Sequence, residues 1–365
     1  MTVEGPVQAT NGQSHAHVNP KAEARFKPAC KVLNALAGKK ADPQKKSLLD
    51  AVTKRVDLSP VLGTELHGIQ LSQLTEQQKE DLALLVSERG VVFFRDQDID
   101  LDQQQELGKS WGPLHVHPIG RKDEAKEDAQ IFQTNEASKI HAGDGWHTDI
   151  SFEEVPSAYA ILKLLEVPPV GGDTIWVSTY AAYDKLSPSF RDTIEHLTAL
   201  HNAEQFLAAK SDPTGSVYLR REDVVQSNEH PVVRTHPTTG WKILFVNSGF
   251  TKHIKGYTKA ESDALLHFLT NHIATSDDVF PLTDIKVRFR WEKNSVAIWD
   301  NRATQHLALW DYYPNTRHAQ RVVVLGERPY YDPKSKSQLE AGGALYQAPP
   351  QWTRDIDGGK LGYKW

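Results

Sequence analysis

Ile285-Lys286-Val287-Arg288-Phe289-Arg290-Trp291, followed shortly by Val296-Ala297-Ile298-Trp299, decides the fold class. The first stretch alternates apolar and charged residues, the period of a half-buried strand. The second is a short continuous apolar run, the pattern of a fully buried one. Similar short segments recur along the chain: Val91-Val92-Phe93-Phe94 behind Gly90, residues 159–165, Thr174-Ile175-Trp176-Val177 after the turn Pro168-Pro169-Val170-Gly171-Gly172, and residues 321–325. Residues 232–235 and 243–246 flank Thr238-Thr239-Gly240 and read as a hairpin. Helical spacing is confined to a few places. Leu82, Leu85 and Val86 mark a helix over 74–88, and a second runs over 102–111 to Gly112-Pro113. Ser187-Pro188 opens a third, with Ser as cap and Pro at the first helical position, and Leu265, Leu266 and Leu269 mark a fourth over 261–273. Many spaced strands with few helices predict a mainly β protein with flanking helices, a sandwich or jelly roll. They do not form a βαβ series, and no solenoid repeat is present.

The chain has 365 residues, 39% hydrophobic and 24% charged, which is the composition of a folded protein. Its 42 basic and 47 acidic residues favour neither nucleic acid nor an anionic membrane as partner. A single cysteine, Cys30, excludes an intramolecular disulfide and a thiolate metal cluster. No apolar run approaches a membrane span and no secretory leader is apparent, so the expected location is the cytoplasm. Residues 1–45 are polar and read as a flexible arm, with at most a short helix over 31–36. Residues 331–365 are rich in Pro, Gly, Tyr and Trp. They read as a tail packing on the body or at a contact in a homo-oligomer.

The chemistry centres on Trp146-His147-Thr148-Asp149. Residues two apart on a strand share a face, so His147 and Asp149 would reach one metal ion from an extended segment. With a third ligand at His306, two imidazoles and a carboxylate make the donor set of a facial iron(II) site with open positions. The bland alternative is a hydrogen-bonded turn histidine and a capping aspartate. Trp146 and Phe152 flank the pair with aromatic bulk, and Gly143 and Gly145 allow close backbone approach. Arg317 and Arg321, beside or in a further strand, carry forked donors suited to an organic anion; an exterior salt bridge is their bland reading.

Longer strings carry a family resemblance from about residue 58 to 330. They are Val92-Phe93-Phe94-Arg95-Asp96-Gln97, Leu114-His115-Val116-His117-Pro118, Trp146-His147-Thr148-Asp149, Gly171-Gly172-Asp173-Thr174, Phe245-Val246-Asn247-Ser248-Gly249-Phe250 and the run from Ile298 through Trp299-Asp300-Asn301-Arg302 to His306. In this order they resemble the iron(II)- and 2-oxoglutarate-dependent dioxygenases of the taurine dioxygenase group. The resemblance implies a double-stranded β-helix, or jelly roll, over residues 46–330. It implies Fe(2+) held by His147, Asp149 and His306, with O2 as second co-substrate. It further implies 2-oxoglutarate held by Thr174 and Arg317, the latter on the carboxylate remote from the metal.

On the substrate side the same resemblance implies His117 and Arg321 as contacts to a small anion. The activity it implies is oxidation of an alkanesulfonate to aldehyde and sulfite. His115 is a rival to His117, since the two share a face of an extended segment. Two positions depart from the family: Gly120 replaces a tyrosine and Gly143 an asparagine, changes expected to free space and remove polar contacts. Phe152 and Phe250 are expected either to line the cavity or to belong to the core. The glycines motivate a second expectation, oxidative tailoring of an amino acid or secondary metabolite. A non-catalytic jelly-roll binding protein is the reading from another class. The long arm and tail resemble fungal members and imply a fungal source.

Overall fold

The computed structural model describes residues 37–121, 126–134, 145–204, 217–220, 227–275 and 285–342. Cys30, Gly143 and the expected helix over 31–36 lie outside them. The architecture is mainly β. A seven-stranded sheet runs in the order Lys54–Asp57, Thr64–His67, Val91–Phe94, Val296–Asp300, Ser157–Glu166, Arg317–Leu325, Gln130–Thr134. Every pair in it is antiparallel except Thr64–His67 with Val91–Phe94.

The apolar runs are explained by burial on two sides. Val91, Phe93, Ala297 and Trp299 enter one core cluster with Trp176, Val177, Leu244 and Phe289 from smaller sheets. Their neighbours Val92, Phe94, Val296 and Ile298 enter a second cluster with Leu82, Leu85, Val86, Leu107 and Trp111 from two helices. Period-two alternation therefore sends both sets inward. Those helices are Glu76–Arg89 and Leu101–Trp111, close to the predicted spans, and each starts at a capping box. Thr75 Oγ1 accepts from Gln78 N while Gln78 Oε1 accepts from Thr75 N; Asp100 and Gln103 repeat the exchange. The Ser187 cap and Pro188 start the helix Pro188–Ile194, and Lys259–Thr275 forms the longest helix. Among the described residues, no helix is long and apolar enough to cross a membrane.

The strands Lys286–Phe289, Thr174–Ser178 and Thr304–Ala308 make a three-stranded sheet that carries half of the candidate site. Asn228–Pro231, Thr198–His201 and Thr251–Ile254 make another. The predicted hairpin forms between Val233–Thr235 and Lys242–Leu244. A last pair joins Ile119–Arg121 to Val217–Leu219. Within the stretch read as an arm, residues 37–45 are bonded to the helix Glu76–Arg89: Gly38 N donates to Glu80 Oε2 at 2.9 Å and Asp42 N to Asp81 Oδ1 at 3.0 Å. At the other end, Lys242 N donates to Lys336 O, and Ser337 and Gln338 are buried.

A charged network is buried beneath the turn between Val296–Asp300 and Thr304–Ala308. Asp300 Oδ1 accepts from Arg302 Nε at 2.8 Å, and Oδ2 accepts from Arg302 Nη2 at 2.6 Å and His236 Nε2 at 2.9 Å. His236 Nδ1 accepts from the backbone of Thr238 and Thr239, which leaves its proton on Nε2, facing Asp300. Glu327 bridges Arg302 and Arg234. Two carboxylates thus oppose two guanidiniums with all four side chains buried. Burial alone would raise the Asp300 pKa; Arg302 and His236 outweigh it and hold the carboxyl well below the usual range.

Candidate active site

His147, Asp149 and His306 offer ligand atoms that all lie within 4.8 Å of one another. His147 Nε2 is 3.8 Å and His306 Nε2 3.9 Å from Asp149 Oδ1. The expected route to this arrangement, an extended strand over 147–149, is not the one found. His147 makes a single antiparallel bridge with His306, their backbones exchanging N–H···O bonds of 3.3 and 2.9 Å. The chain then turns, with Ile150 at φ 47°. Asp149 N donates to Asn301 Oδ1, Thr148 Oγ1 to Thr304 O, and Ser157 Oγ to Asp149 O. Tertiary bonds to the His306 segment replace strand periodicity as what aims the carboxylate. Gly249 belongs to the same packing: a Cβ there would lie 3.3 Å from His147 Cβ.

The donors suit a divalent ion. His147 Nδ1 lies 3.0 Å from Gly145 O; donation to that carbonyl puts the proton on Nδ1 and leaves Nε2 a bare lone pair. Burial and the neighbouring His147 lower the His306 pKa to about 3, so its imidazole is neutral at ordinary pH. Burial opposes ionisation of Asp149, but Arg321 and the surrounding histidines hold it well below the usual carboxylate range. A neutral His306 and an ionised Asp149 are in the protonation states a metal requires of them. His306 ring stacking on Trp176 and its contact with Trp299, at centroid distances of 6.5 and 5.0 Å, form the apolar wall behind it.

Thr174 shares the three-stranded sheet with His306, whereas Arg317 comes from the seven-stranded sheet. Thr174 is buried opposite Phe289 and Ala308 in its sheet. Its neighbour two residues on, Trp176, pairs with His306. Arg317 starts the strand Arg317–Leu325 and lies over the Trp291 ring, 5.8 Å from its centroid. Gly172 runs alongside it: a Cβ there would lie 3.4 Å from Arg317 Cδ.

Arg321 lies four residues along that strand, with Nη1 2.9 Å from both oxygens of Asp149. Its Nε and Nη2 donate to Gln130 Oε1, 3.0 and 2.6 Å away. His117 feels the charges of Arg321 and Asp149; burial first, then His115 and Arg321, lower its pKa to about 3. Its Nδ1 faces Ile119 N at 3.1 Å and Ile119 O at 3.2 Å; accepting the N–H leaves the proton on Nε2. The segment around it is not a strand, so His115 and His117 do not share a strand face. His115 is tied to Val323 O through its backbone and to Glu153 at 3.5 Å through its ring.

A family profile described as "Taurine catabolism dioxygenase TauD, TfdA family" matches residues 54–323. The chain belongs to the TauD/TfdA family. A candidate alpha-ketoglutarate-dependent sulfonate dioxygenase of Schizosaccharomyces pombe is 41% identical over 308 residues, 82% of this chain and 76% of that one. An alpha-ketoglutarate-dependent sulfonate dioxygenase of Saccharomyces cerevisiae is 37% identical over 294 residues, 76% of this chain and 68% of that one. A taurine dioxygenase of Burkholderia xenovorans has a similar crystal structure, with TM-score 0.64 and 31% identity, covering 78% of this chain and 94% of that one.

Within this TauD/TfdA chain, one expectation about the substrate side is overturned. Gly120 does not free space. Tyr218 pairs with it across the two-stranded sheet, and a Cβ on Gly120 would fall 2.6 Å from both Tyr218 Cζ and Arg220 Nε. Arg220 Nη1 also reaches His117 O at 3.4 Å. Phe152 and Phe250 pack at 5.0 Å in a small cluster with Ile150, Ala203, Leu325 and Leu219, immediately beside Asp149. Gln130, Asn301, Tyr218, Arg220 and Trp291 escaped the sequence reading. Each acts through a contact far away in sequence, for which no local pattern is a signal.

Proposed function

We propose that this chain is an iron(II)- and 2-oxoglutarate-dependent dioxygenase that oxidises the C–H bond next to the sulfonate of a small alkanesulfonate, releasing aldehyde and sulfite. The convergence of His147 Nε2, Asp149 Oδ1 and His306 Nε2 carries the reading. These three hold the iron. When bound, iron(II) with 2-oxoglutarate and O2 supplies the oxidation, with succinate and CO2 as co-products. Thr174 would contribute a hydrogen bond to 2-oxoglutarate, and Arg317 would fork onto the carboxylate remote from the metal. Trp176 and Trp299 exclude water behind His306. His117, neutral, and Arg321 form the anion side of the cavity. Together they orient the sulfonate so that one C–H bond faces the metal. The names of the yeast relatives support a sulfonate as the anion.

The mainly β sheets and the likeness to the Burkholderia structure support a double-stranded β-helix for residues 46–330. The bonds of residues 335–338 to the body support a tail that wraps it. The solitary cysteine fits a reducing, cytoplasmic setting. The deciding experiment offers a panel of alkanesulfonates, amino acids and alkyl sulfates to the iron-loaded enzyme and measures succinate and sulfite together. Matched release of both with alkanesulfonates is expected. Succinate with another class of compound, and sulfite with none, would establish tailoring oxidation instead. No succinate with any compound, and no optical change on anaerobic addition of iron and 2-oxoglutarate, would leave a binding protein.

A further inference from the structure

Trp291 touches both side chains assigned above to the co-substrate. Its indole is buried, and Nε1–H donates to Thr174 Oγ1 at 3.0 Å. The Arg317 guanidinium lies over the same ring. The ring is held in turn by Phe289, perpendicular at 5.1 Å, and by Trp176 at 6.2 Å, the residue that stacks on His306. Its orientation is therefore fixed from three directions.

The hydrogen-bonding arithmetic gives this contact a function. A threonine hydroxyl has one proton and two lone pairs, and an indole N–H can only donate. With Trp291 on one lone pair, the Thr174 proton must point elsewhere. Among the described residues that hydroxyl has no other partner, so the proton is available to an incoming acceptor. On the other side, the flat ring face under Arg317 restrains a long side chain that would otherwise sample many rotamers.

We propose that Trp291 is a positioning residue for 2-oxoglutarate: its N–H makes the Thr174 hydroxyl a committed donor to the co-substrate, and its ring sets the Arg317 fork for the carboxylate remote from the metal. This rests on the assignment of Thr174 and Arg317 to 2-oxoglutarate. Trp291→Phe removes the N–H and keeps most of the ring; Trp291→Leu removes both. The readout is the dissociation constant of 2-oxoglutarate for the full-length iron-loaded protein, measured by anaerobic calorimetry.

Trp291→Phe is expected to weaken binding roughly 5- to 10-fold, the scale of one ordinary neutral hydrogen bond, and Trp291→Leu further. The KM for 2-oxoglutarate rises in parallel, while kcat at saturation stays near the parent value. Thr174→Val weakens binding similarly, and adding Trp291→Phe to it has little further effect. Full additivity of the two, or unchanged binding in Trp291→Phe, overturns the proposal. Unchanged binding in Thr174→Val overturns the co-substrate assignment beneath it. If Trp291→Phe does not fold, benzothienylalanine at 291 replaces the N–H by sulfur within the same outline, and the same weakening is required.

Discussion

Asp300→Asn is the most informative single change outside the donor set. The buried network balances Asp300 and Glu327 against Arg302 and Arg234, so the substitution leaves one positive charge without a counter-ion in the interior. It also sets an amide against a ring of donors. Arg302 Nε and Nη2 and the His236 Nε2 proton all point at the two oxygens, and an asparagine can accept at only one of them. Losing one partner of a buried ion pair costs about 3–5 kcal/mol. For a chain of this size that corresponds to a fall in Tm of about 4–7 °C. Urea unfolding and calorimetry measure both quantities. Adding Arg302→Met restores charge balance and is expected to recover part of the loss, a non-additivity that a double-mutant cycle detects. The turn above the network leads into His306, so iron affinity should fall with stability in Asp300→Asn. A loss below about 1 kcal/mol, or strict additivity with Arg302→Met, would refute the ion-pair account.

His147→Ala and His306→Ala should each lower turnover by more than roughly 100-fold and abolish tight iron binding, with the circular dichroism spectrum retained; near-parental turnover in either removes that residue from the donor set. Burial, then the charge of Arg234, lowers the His230 pKa from 6.5 to about 4. The unfolded chain then takes the proton first, so stability present above pH 6.5 declines as the pH falls toward 4, by up to about 3 kcal/mol for this residue. Urea midpoints measured from pH 7 to pH 4 should fall less steeply in His230→Gln, and parallel curves would exclude His230 as the source. Gly120→Ala pushes on the tips of Tyr218 and Arg220 rather than on backbone, so it should cost only about 1 kcal/mol of stability. By displacing Arg220 from His117 O it should also raise the KM for substrate several-fold, and steady-state kinetics with an unchanged KM would show that this contact does not matter.

Local pattern was enough wherever local physics decides. The capping residue Ser187, the hairpin around Thr238-Thr239-Gly240 and the doubly buried run at Val296 are readable because each depends on neighbours within a few positions. The site was legible as a set of residue types but not as a shape. Nothing in Trp146-His147-Thr148-Asp149 announces that His147 bonds His306 across a single bridge, or that the chain turns at Ile150. Arg321 read as a free anion clamp; finding it on Asp149 and Gln130 required the pairing of Arg317–Leu325 with Gln130–Thr134. Gly120 read as vacated space because a missing side chain says nothing of what the opposite strand brings. Tyr218 is 98 positions away in sequence and directly across from it in the sheet.

The strand Arg317–Leu325 has one more consequence. Arg317 and Arg321 are four residues apart on it, hence on the same face and about 13 Å apart along the backbone. One of them abuts Asp149 and the other stands over Trp291, so a single strand spans the distance from the proposed metal carboxylate to the proposed co-substrate anchor. Antiparallel partners flank Arg321 on both sides and Arg317 on one, so the spacing of the two arginines is held by the ladder. With Arg317 as the proposed anchor, a keto diacid one carbon shorter or longer than 2-oxoglutarate is expected to bind more weakly, because backbone pairing rather than side-chain adjustment sets that spacing.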